Sequence, residues 1–548
     1  MFTVMFLCSA VALFLGYKFY GKFMEGVYGI NNGNATPAER LNDGIDYCPT
    51  HPAVLLGHHF SSIAGAGPIT GPIVAASVFG WLPTLLWCIV GSIFLGGPHD
   101  YGALVASLRH DGHSVGVVIE RWIGRAGRTL FLCFTILTLI LVVAVFLALT
   151  TSTFVADPVV AFVGCLYILL AMISGVLIYR FNANLKIVTI IMLAIIGFCA
   201  VKGGEWPTVM AYFTHSADQW NVFLSLYVLA ASVLPVWLLL QPRDYLASYF
   251  LYFAVGIGAI GMILGSSMNS GAIPMMAQNV KWFGLSKAHL WPMLFVMVAC
   301  GAISGFHSLV GSGTTSKQIR HERDALPIGY GSMLLEGLVA CISLGTLMVA
   351  GGITAGGPTG TFAAGFGQFC SILGIDPVLG TRLGAIAVNC FLLTSMDTAC
   401  RLGRYQIQEI TGNKVNKYVA TLLIIAGTLA LVYVKMTDAS GKIIPAWSII
   451  WPVFGSANQL VAALALLGIS VWIRRGLKKS ANFLLIPFWF MLATSMTALV
   501  IDIKTTLASA NPNYVLSTIS AILLVLAALM CVEGLKALNA EKKGISIN

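Results

Sequence analysis

Apolar runs of roughly 18 to 25 residues, separated by short polar segments, occupy almost the whole of this 548-residue chain. Folded as helices, such runs are long enough to cross a hydrocarbon core about 30 Å thick. They predict about fifteen membrane spans, centred near residues 11, 65, 93, 141, 168, 193, 231, 257, 301, 340, 389, 427, 460, 493 and 525. The expected fold class is therefore an all-α polytopic membrane protein.

Composition agrees with this pattern. Apolar residues make up 58% of the chain and charged residues 9%, against about 25% charged in soluble domains. The formal net charge is +10, but the basic residues lie in alternate loops, so no nucleic-acid partner is expected. The twelve cysteines stand singly, with no CxxC pair and no histidine cluster at metal-ligand spacing. We therefore predict no disulfide, metal, cofactor or catalytic residue.

The distribution of Lys and Arg predicts the orientation of the chain in the membrane. If the N-terminus lies outside, the loops after spans 3, 9, 11 and 13 fall on the cytoplasmic side, and these loops are rich in basic residues. Residues 1–20 are predicted to form a retained N-terminal anchor helix. A cleaved signal peptide has basic residues before its apolar run, whereas here the first basic residues follow it. Residues 536–548 are expected to form a cytoplasmic tail.

One octet occurs twice, as FSSIAGAG at residues 60–67 and as FHSLVGSG at residues 306–313. The copies fall on spans 2 and 9, and an odd separation of seven spans inverts the second copy. Glycine-interrupted segments at matching places in two halves are typical of inverted-repeat transporters. We predict units at 51–268 and 291–535, each with two extra helices, around a leucine-transporter-like core. A true seven-plus-seven inverted repeat remains the alternative.

Each octet is predicted to break its helix at a substrate site. A break frees backbone groups that survive in hydrocarbon only beside a polar cavity or a ligand, and a half-helix N-terminus suits a carboxylate. The alternative is that these small residues only permit close helix packing. The candidate substrate-binding residues are Ser62, Gly65, Ala66, Gly67, Ser308, Gly311, Ser312 and Gly313.

Ionisable residues inside spans are usually functional, because burying a charge in the membrane is costly. The candidates for ion coupling or gating are His59, Asp100, His307, Glu336, Asp397, Arg243 and Asp244. Asp397 has Arg401 one turn later, so a structural salt bridge is an alternative to coupling. For Glu336, the alternative is a buried carboxyl kept neutral by a hydrogen bond.

Hydroxyl groups beside Asp397 leave the coupling ion open. A proton carrier needs a group that changes charge with exposure, whereas a sodium site needs five or six oxygen ligands. Thr394 and Ser395, together with Thr398, would supply some of these oxygens. The sequence alone does not choose between the two ions.

Two polar pairs have two interpretations each. Arg243 and Asp244 stand at an inner boundary and are either snorkelling anchors or a cytoplasmic gate. Asn458 and Gln459 lie in an apolar span and are either interhelical hydrogen-bonding groups or pore lining. Outside the spans, we predict an external flexible loop at 351–361 and an amphipathic surface helix within 113–127.

Several sequence blocks resemble those of the carbon starvation protein A family. They are HHFSSIAGAGPITGP (58–72), GGPHDYGALVASLRHDGHSVG (96–116), QPRDYL (241–246), GFHSLVGSGTTSKQ (305–318), MDTACRLGRYQIQE (396–409) and FGSANQLVAALALL (454–467). The resemblance extends from about residue 2 to residue 535. It implies a bacterial inner-membrane carrier of the amino acid, polyamine and organocation superfamily, which imports pyruvate by proton symport in some members and peptides in others.

The sequence thus predicts a secondary active symporter for a small carboxylate, with pyruvate first and protons as the coupling ion. Its partners would be this small-molecule substrate, the coupling ion and the lipid bilayer. Short-peptide uptake and sodium coupling are the alternatives within this class. A channel or a transport-like nutrient sensor is the alternative from another class, although a sensor usually needs a soluble output domain. An enzyme is not expected.

Overall fold

The computed structural model describes residues 2–265, 289–437, 443–509 and 511–540. Within these ranges the chain is almost entirely helical, apart from one short antiparallel hairpin of β1 (Lys435–Thr437) and β2 (Ile443–Pro445). The expected all-α polytopic fold class is confirmed. The end of the first predicted unit near residue 268 and the last eight residues of the predicted tail, 541–548, lie outside the described residues.

The first half of the chain forms fourteen helices among the described residues. They are α1 (Phe2–Leu15), α2 (Lys22–Tyr28), α3 (Pro37–Arg40), α4 (Pro52–Ile63), α5 (Gly67–Phe79), α6 (Trp81–Gly91), α7 (Gly97–Leu108), α8 (Val115–Trp122), α9 (Arg125–Ala156), α10 (Pro158–Gly175), α11 (Leu185–Lys202), α12 (Pro207–Tyr212), α13 (Ala217–Val233) and α14 (Leu240–Leu264). A π-helical turn at Gly16–Gly21 joins α1 to α2, so the N-terminal helix continues to Tyr28.

The second half forms nine helices in the part of the chain that the structure describes. They are α15 (Leu290–Met297), α16 (Gly305–Gly313), α17 (Ser332–Ala350), α18 (Gly357–Ser371), α19 (Pro377–Ile410), α20 (Lys417–Tyr433), α21 (Ala446–Arg475), α22 (Asn482–Leu507) and α23 (Tyr514–Ala540). Local sequence sets several ends: Ser216 and Gln219 form a capping box on α13, and Gly351 ends α17 with a left-handed φ of 74°.

Twelve helical segments of the described residues are long and apolar enough to cross a membrane. The prediction of about fifteen spans was too high by this measure. The predicted spans near 231 and 427 are α13 and α20, which have 17 residues each. The predicted span near 301 is divided into the short helices α15 and α16.

Two predicted extramembrane pieces differ in outcome. The amphipathic helix within 113–127 is present as α8, which packs against α9 and α21 and buries Val115, Val118 and Ile119. The loop predicted at 351–361 is wrong in extent, because α18 already begins at Gly357. The local sequence GGITAGG ends one helix, but Pro358 at the first turn of α18 starts the next.

The long helices position the polar residues discussed below. α4 packs against α14, α19 packs against α9 and α14, and α16 packs against α7 and α21. α17 lies against α5 and α18. Helices from both halves of the chain therefore surround the two discontinuous segments.

Candidate functional site

The first predicted break is present. α4 ends at Ile63 and α5 begins at Gly67, so that Ala66 lies in the non-helical connection. Pro68 stands in the first turn of α5, where its missing N–H leaves no helical hydrogen bond unmade. Span 2 is therefore a discontinuous helix, as the sequence predicted.

α19 stabilises this break from the side. The hydroxyl of Ser395 donates to the backbone carbonyl of Ser62 at 3.0 Å, near the end of α4. Gly65 makes this approach possible, because a Cβ at that position would lie 2.7 Å from Ser395 Oγ. The Ser62 hydroxyl faces Thr398 Oγ1 at 3.5 Å. Thr394 instead donates to the Cys390 carbonyl one turn earlier.

The second break is also present, but the predicted position was wrong. α15 ends at Met297 and α16 begins at Gly305, so the unwound segment is 298–304 and precedes the second octet. Gly311, Ser312 and Gly313 lie inside α16.

The hydroxyls of the second octet are engaged by their own helix. Ser308 donates to the Gly305 carbonyl and Ser312 to the Ser308 carbonyl. The physical reason for the difference between the copies is that the second octet lacks the prolines that follow the first, whereas Gly301, with a φ of 88°, lies in the unwound segment.

Two side chains of α21 form hydrogen bonds to the unwound segment and to the helix ends that flank it. Asn458 Oδ1 accepts from the Phe306 N–H at 2.9 Å, and Asn458 Nδ2 donates to Ser304 Oγ at 2.9 Å. Gln459 donates to the carbonyls of Phe295 and Val298. Of the two interpretations of this pair, interhelical hydrogen bonding is the one that the structure supports.

The two discontinuous helices pack directly on each other. A Cβ at Gly67 would overlap the side chain of Cys300, and a Cβ at Gly71 would lie 2.9 Å from the Met297 carbonyl oxygen. Cys300 belongs to the second unwound segment. The alternative of close helix packing therefore holds for Gly67, which lets the first half-helix reach the second break.

A buried ionic cluster lies beside the first break. We call Arg243, Asp244, Asp397, His58 and Tyr227 the Arg243 cluster. Arg243 Nε donates to Asp244 Oδ1 at 2.8 Å, and the guanidinium also forms an ion pair with Asp397 Oδ2. His58 Nδ1 donates to Asp244 Oδ2 at 2.5 Å. The Tyr227 hydroxyl accepts from Arg243 at 2.7 Å and donates to Asp397 at 2.9 Å.

The Arg243 cluster corrects two predictions. The side chains of Arg243 and Asp244 are 0% exposed, so they do not snorkel to the membrane surface. Asp397 pairs with Arg243 rather than with Arg401. Arg401 points to the C-terminal end of α13, where it donates to the carbonyls of Ala231 and Leu234. Carbonyl groups at the C-terminal end of a helix attract cations, so Arg401 binds there. The i to i+4 spacing alone had suggested Asp397 as its partner.

The first octet touches this cluster. The Ser62 hydroxyl donates to Asp244 Oδ2 at 3.3 Å, and the Ser61 hydroxyl donates to the Asp244 carbonyl at 3.0 Å. The predicted substrate residue Ser62 and the predicted gating pair therefore belong to one continuous network.

A second buried cluster lies beside the second break. We call His307, Asp100, Glu336, His99 and Cys300 the His307 cluster. His307 Nδ1 lies 2.8 Å from Asp100 Oδ2, and His99 Nδ1 lies 2.7 Å from Asp100 Oδ1. The other ring nitrogen of His307, Nε2, lies 3.2 Å from Glu336 Oε2. Three of the predicted coupling residues, Asp100, His307 and Glu336, are thus brought together.

His59, another predicted coupling residue, lies outside both groups of hydrogen bonds. Its Nδ1 lies 2.8 Å from the hydroxyl of Thr315, and the side chain is buried. Tyr227 and Cys300 were not predicted. A tyrosine or cysteine in an apolar span has no sequence signal that separates it from ordinary core residues.

A third ionic group lies where the 29–51 connection, which is outside the spans, meets the C-terminal part of α19. Asp46 accepts from the Tyr405 hydroxyl at 2.5 Å and pairs with Arg401 at 3.3 Å. Lys317 Nζ lies 4.2 Å from the centre of the Tyr405 ring. Burial by itself raises the pKa of Asp46, but Arg401, Lys317 and the Tyr405 hydrogen bond outweigh it, so this pKa is lowered. The group joins an extramembrane segment to α19.

A family model described as Carbon starvation protein CstA matches residues 2–353 and 348–498. The chain belongs to this family. Among its CstA relatives, a Bacillus subtilis protein named Peptide transporter CstA is 32% identical, over 84% of this chain and 83% of the relative. A Campylobacter jejuni protein of the same name is 30% identical, over 89% and 78%. An Escherichia coli protein named Pyruvate/proton symporter BtsT is 30% identical, over 89% and 80%.

Solved transporter structures are also similar to this chain, at lower sequence identity than the relatives above. MhsT in complex with L-phenylalanine is 12% identical with a TM-score of 0.47, over 88% of this chain and 98% of that chain. The Eremococcus coleocola manganese transporter with an aromatic bis-isothiourea compound is 14% identical with a TM-score of 0.42, over 92% and 99%.

Proposed function

We propose that this CstA-family protein imports a small carboxylate, pyruvate first, together with protons by alternating access. The observation that carries the proposal is the fully buried Arg243, which is shared by two carboxylates beside the break at the end of α4. A guanidinium is the side chain best suited to bind a carboxylate through two parallel hydrogen bonds. The site therefore offers a monocarboxylate a strong partner at membrane depth.

Coupling follows from competition for Arg243. An incoming substrate carboxylate takes the place of Asp397 on the guanidinium, while Asp244 keeps its own bond to Arg243 Nε. A buried carboxylate without its cation is costly to keep charged, so Asp397 takes up a proton. Its Oδ1 has no hydrogen-bond partner among the described residues and is the atom available for that proton. One anion and one proton then move together, and transport is electroneutral.

The first break supplies the rest of the substrate contacts. Ser62 already donates to Asp244, and its hydroxyl is available to a ligand that enters between the two. Gly65 lets Ser395 approach the backbone of the break, which places the Ser395 hydroxyl beside Ser62. The N-terminal end of α5, which begins at Gly67, adds the positive end of its helix dipole.

Short-peptide uptake is the second candidate, and the names of relatives from Campylobacter jejuni and Bacillus subtilis favour it. A peptide presents a C-terminal carboxylate, which the same guanidinium would bind. Sodium coupling is a third candidate, supported by the oxygens of Ser62, Ser395 and Thr398 that meet near the first break. A channel is not favoured, because the central charges pair with one another across helices instead of lining a file.

The proposed orientation has the N-terminus outside and the C-terminus inside the bacterial inner membrane. The direct test of the function is uptake of labelled pyruvate into proteoliposomes under an inward proton gradient. Accumulation that a protonophore abolishes, and that a sodium gradient does not replace, supports proton symport of pyruvate. Accumulation of a labelled dipeptide without pyruvate uptake assigns the site to peptides, and dependence on sodium alone contradicts proton coupling.

A further inference from the structure

The His307 cluster takes no part in the coupling step proposed above. Three of its members, Cys300, His307 and Glu336, bring one potential metal-ligand atom each to within 4.8 Å of one another, and all three are buried. They come from three separate elements, because Cys300 lies in the unwound segment, His307 on α16 and Glu336 on α17. The fold thus brings together a sulfur, a nitrogen and an oxygen donor at the second break.

The hydrogen bonds of Asp100 orient this donor set. An ionised Asp100 can only accept hydrogen bonds, and its two oxygens accept from the Nδ1–H groups of His99 and His307. The other ring nitrogen of His307, Nε2, faces Glu336 Oε2 and is the ring atom that remains for a metal ion. Neither oxygen of Glu336 accepts a hydrogen bond of ordinary geometry from the part of the chain that the structure describes.

Three potential metal-ligand atoms therefore lie together in a buried part of the structure. His307 Nε2 and Glu336 Oε2 lie 3.2 Å apart. The sulfur of Cys300, whose thiol donates to Ser304 Oγ at 3.4 Å, completes the set of three ligand atoms within 4.8 Å of one another. Burial makes such an arrangement costly unless a cation lies among the three groups. A metal ion satisfies all three groups at once, whereas a single proton satisfies two.

The donor set selects the class of metal. Thiolate, imidazole and carboxylate together suit Zn²⁺ and related borderline ions rather than Mg²⁺ or Ca²⁺, which prefer oxygen ligands. Tetrahedral zinc with ordinary bond lengths holds its nitrogen and oxygen ligands about 3.3 Å apart, and His307 Nε2 and Glu336 Oε2 are 3.2 Å apart. Three protein ligands leave the fourth position open.

The surroundings also fit a metal site. The bond from His307 Nδ1 to Asp100 is the carboxylate–histidine arrangement that typically orients a metal-binding imidazole. Asn458 Nδ2, which donates to Ser304 Oγ, also lies 4.0 Å from Cys300 Sγ. Such a donor stabilises negative charge on the sulfur.

We propose that Cys300, His307 and Glu336 form a buried binding site for a divalent cation of the zinc type, with an open fourth position. The ion would join the second unwound segment to α16 and α17. This inference does not depend on which substrate is transported or on which ion drives transport. No metal site was predicted from the sequence, because the three ligands lie on different elements and do not form a recognisable sequence motif.

The test uses the purified full-length protein in detergent, stripped with a chelator and then supplied with Zn²⁺ or Co²⁺ alone. We expect about one tightly held zinc per chain and a rise in unfolding temperature with zinc, because a ligand that binds only the folded state stabilises it. Cobalt bound through Cys300 should show a thiolate-to-metal charge-transfer band. Substoichiometric zinc, or a cobalt complex without that band, overturns the proposal.

Variants assign the binding to these residues. Cys300→Ser and Glu336→Gln should reduce bound zinc to background, whereas Cys341→Ala, which removes another buried cysteine of α17, should retain it. A normal size-exclusion profile of each variant shows that lost zinc binding is not caused by misfolding. The cobalt charge-transfer band is measured on the unaltered protein and therefore does not depend on how a variant folds. Full zinc binding by both Cys300→Ser and Glu336→Gln would contradict the assignment.

Discussion

Arg243 of α14 and Asp397 of α19 form an ion pair between positions 154 residues apart, and neither side chain is exposed. The pair lies beside the end of α4, and Asp244 and Tyr227 complete its hydrogen bonds. A buried ion pair of this kind need not stabilise the fold, because well-packed apolar residues in its place are often at least as stabilising. Its value in a transporter is that one partner can be exchanged for a substrate.

Removing the buried cation Arg243 should lower the free energy of unfolding more than removing an exposed arginine. Arg243→Gln leaves Asp244 and Asp397 buried without their shared partner, which typically costs about 3 to 5 kcal/mol. We expect a clear fall in the unfolding temperature in detergent and no pyruvate uptake. Arg323→Gln is the matched control, because Arg323 is exposed. Equal unfolding temperatures for the two variants would contradict the buried ion pair.

The aligned glycines of the two octets should respond differently to alanine. At Gly65 a Cβ would lie 2.7 Å from Ser395 Oγ and 3.2 Å from Phe146, so Gly65→Ala should break the bond from Ser395 to Ser62. At Gly311 the nearest atom would be 3.8 Å away, which is ordinary contact.

We therefore expect Gly65→Ala to lose uptake and on the order of 1–3 kcal/mol of stability, whereas Gly311→Ala keeps both and gains up to about 1 kcal/mol from helix propensity. Uptake and unfolding temperature are the measurements. If Gly311→Ala abolished uptake with normal expression, the second octet would be a substrate site after all.

These octets show what the sequence contained and what it did not. The repetition and Pro68 were enough to predict that span 2 is discontinuous and that span 9 is interrupted as well. The position of the second break was wrong because glycine serves packing as readily as unwinding, and Gly313 packs against Leu402 inside an intact helix.

Candidate residues were easier to predict than their partners. Asp100, Glu336 and Asp397 stood out because charge is rare in apolar spans. Local spacing assigned Arg401 to Asp397, but pairing in this bundle depends on which helices lie side by side, and Arg243 reaches Asp397 from another helix. No periodicity in the sequence reports that neighbourhood.

Asn458 should be important for the second break. Asn458→Ala leaves the Phe306 N–H and the Ser304 hydroxyl without this partner, at a cost of about 1–3 kcal/mol. The unfolding temperature should fall accordingly. Ser456→Ala in the same helix is the control, because the buried Ser456 hydroxyl has no hydrogen-bond partner among the described residues. Equal effects of both substitutions would show that Asn458 does not support the unwound segment.

Asp46 gives a pH dependence that can be measured. Its pKa is lowered from 3.8 in the folded state, so it binds fewer protons when folded than when unfolded at acid pH. The stability that it contributes is therefore fully present above about pH 4 and is lost as the pH falls through the lower folded-state value.

The comparison is between the unaltered protein and Asp46→Asn, with Glu39→Gln at an exposed position as control. The difference in unfolding temperature should be constant near neutral pH and should shrink below about pH 4. A difference that grows on acidification would mean that the pairing with Arg401 does not stabilise the folded state.

In the proposed mechanism, Asp397 exchanges its place on Arg243 with the substrate and takes up the proton. The most direct measurement compares Asp397→Asn with the unaltered protein in proteoliposomes, by pyruvate counterflow and by gradient-driven accumulation. Asparagine is close in size and carries no exchangeable charge, so counterflow should persist while accumulation against a gradient and pyruvate-induced proton entry are lost. Unchanged proton-driven accumulation in Asp397→Asn would contradict the account.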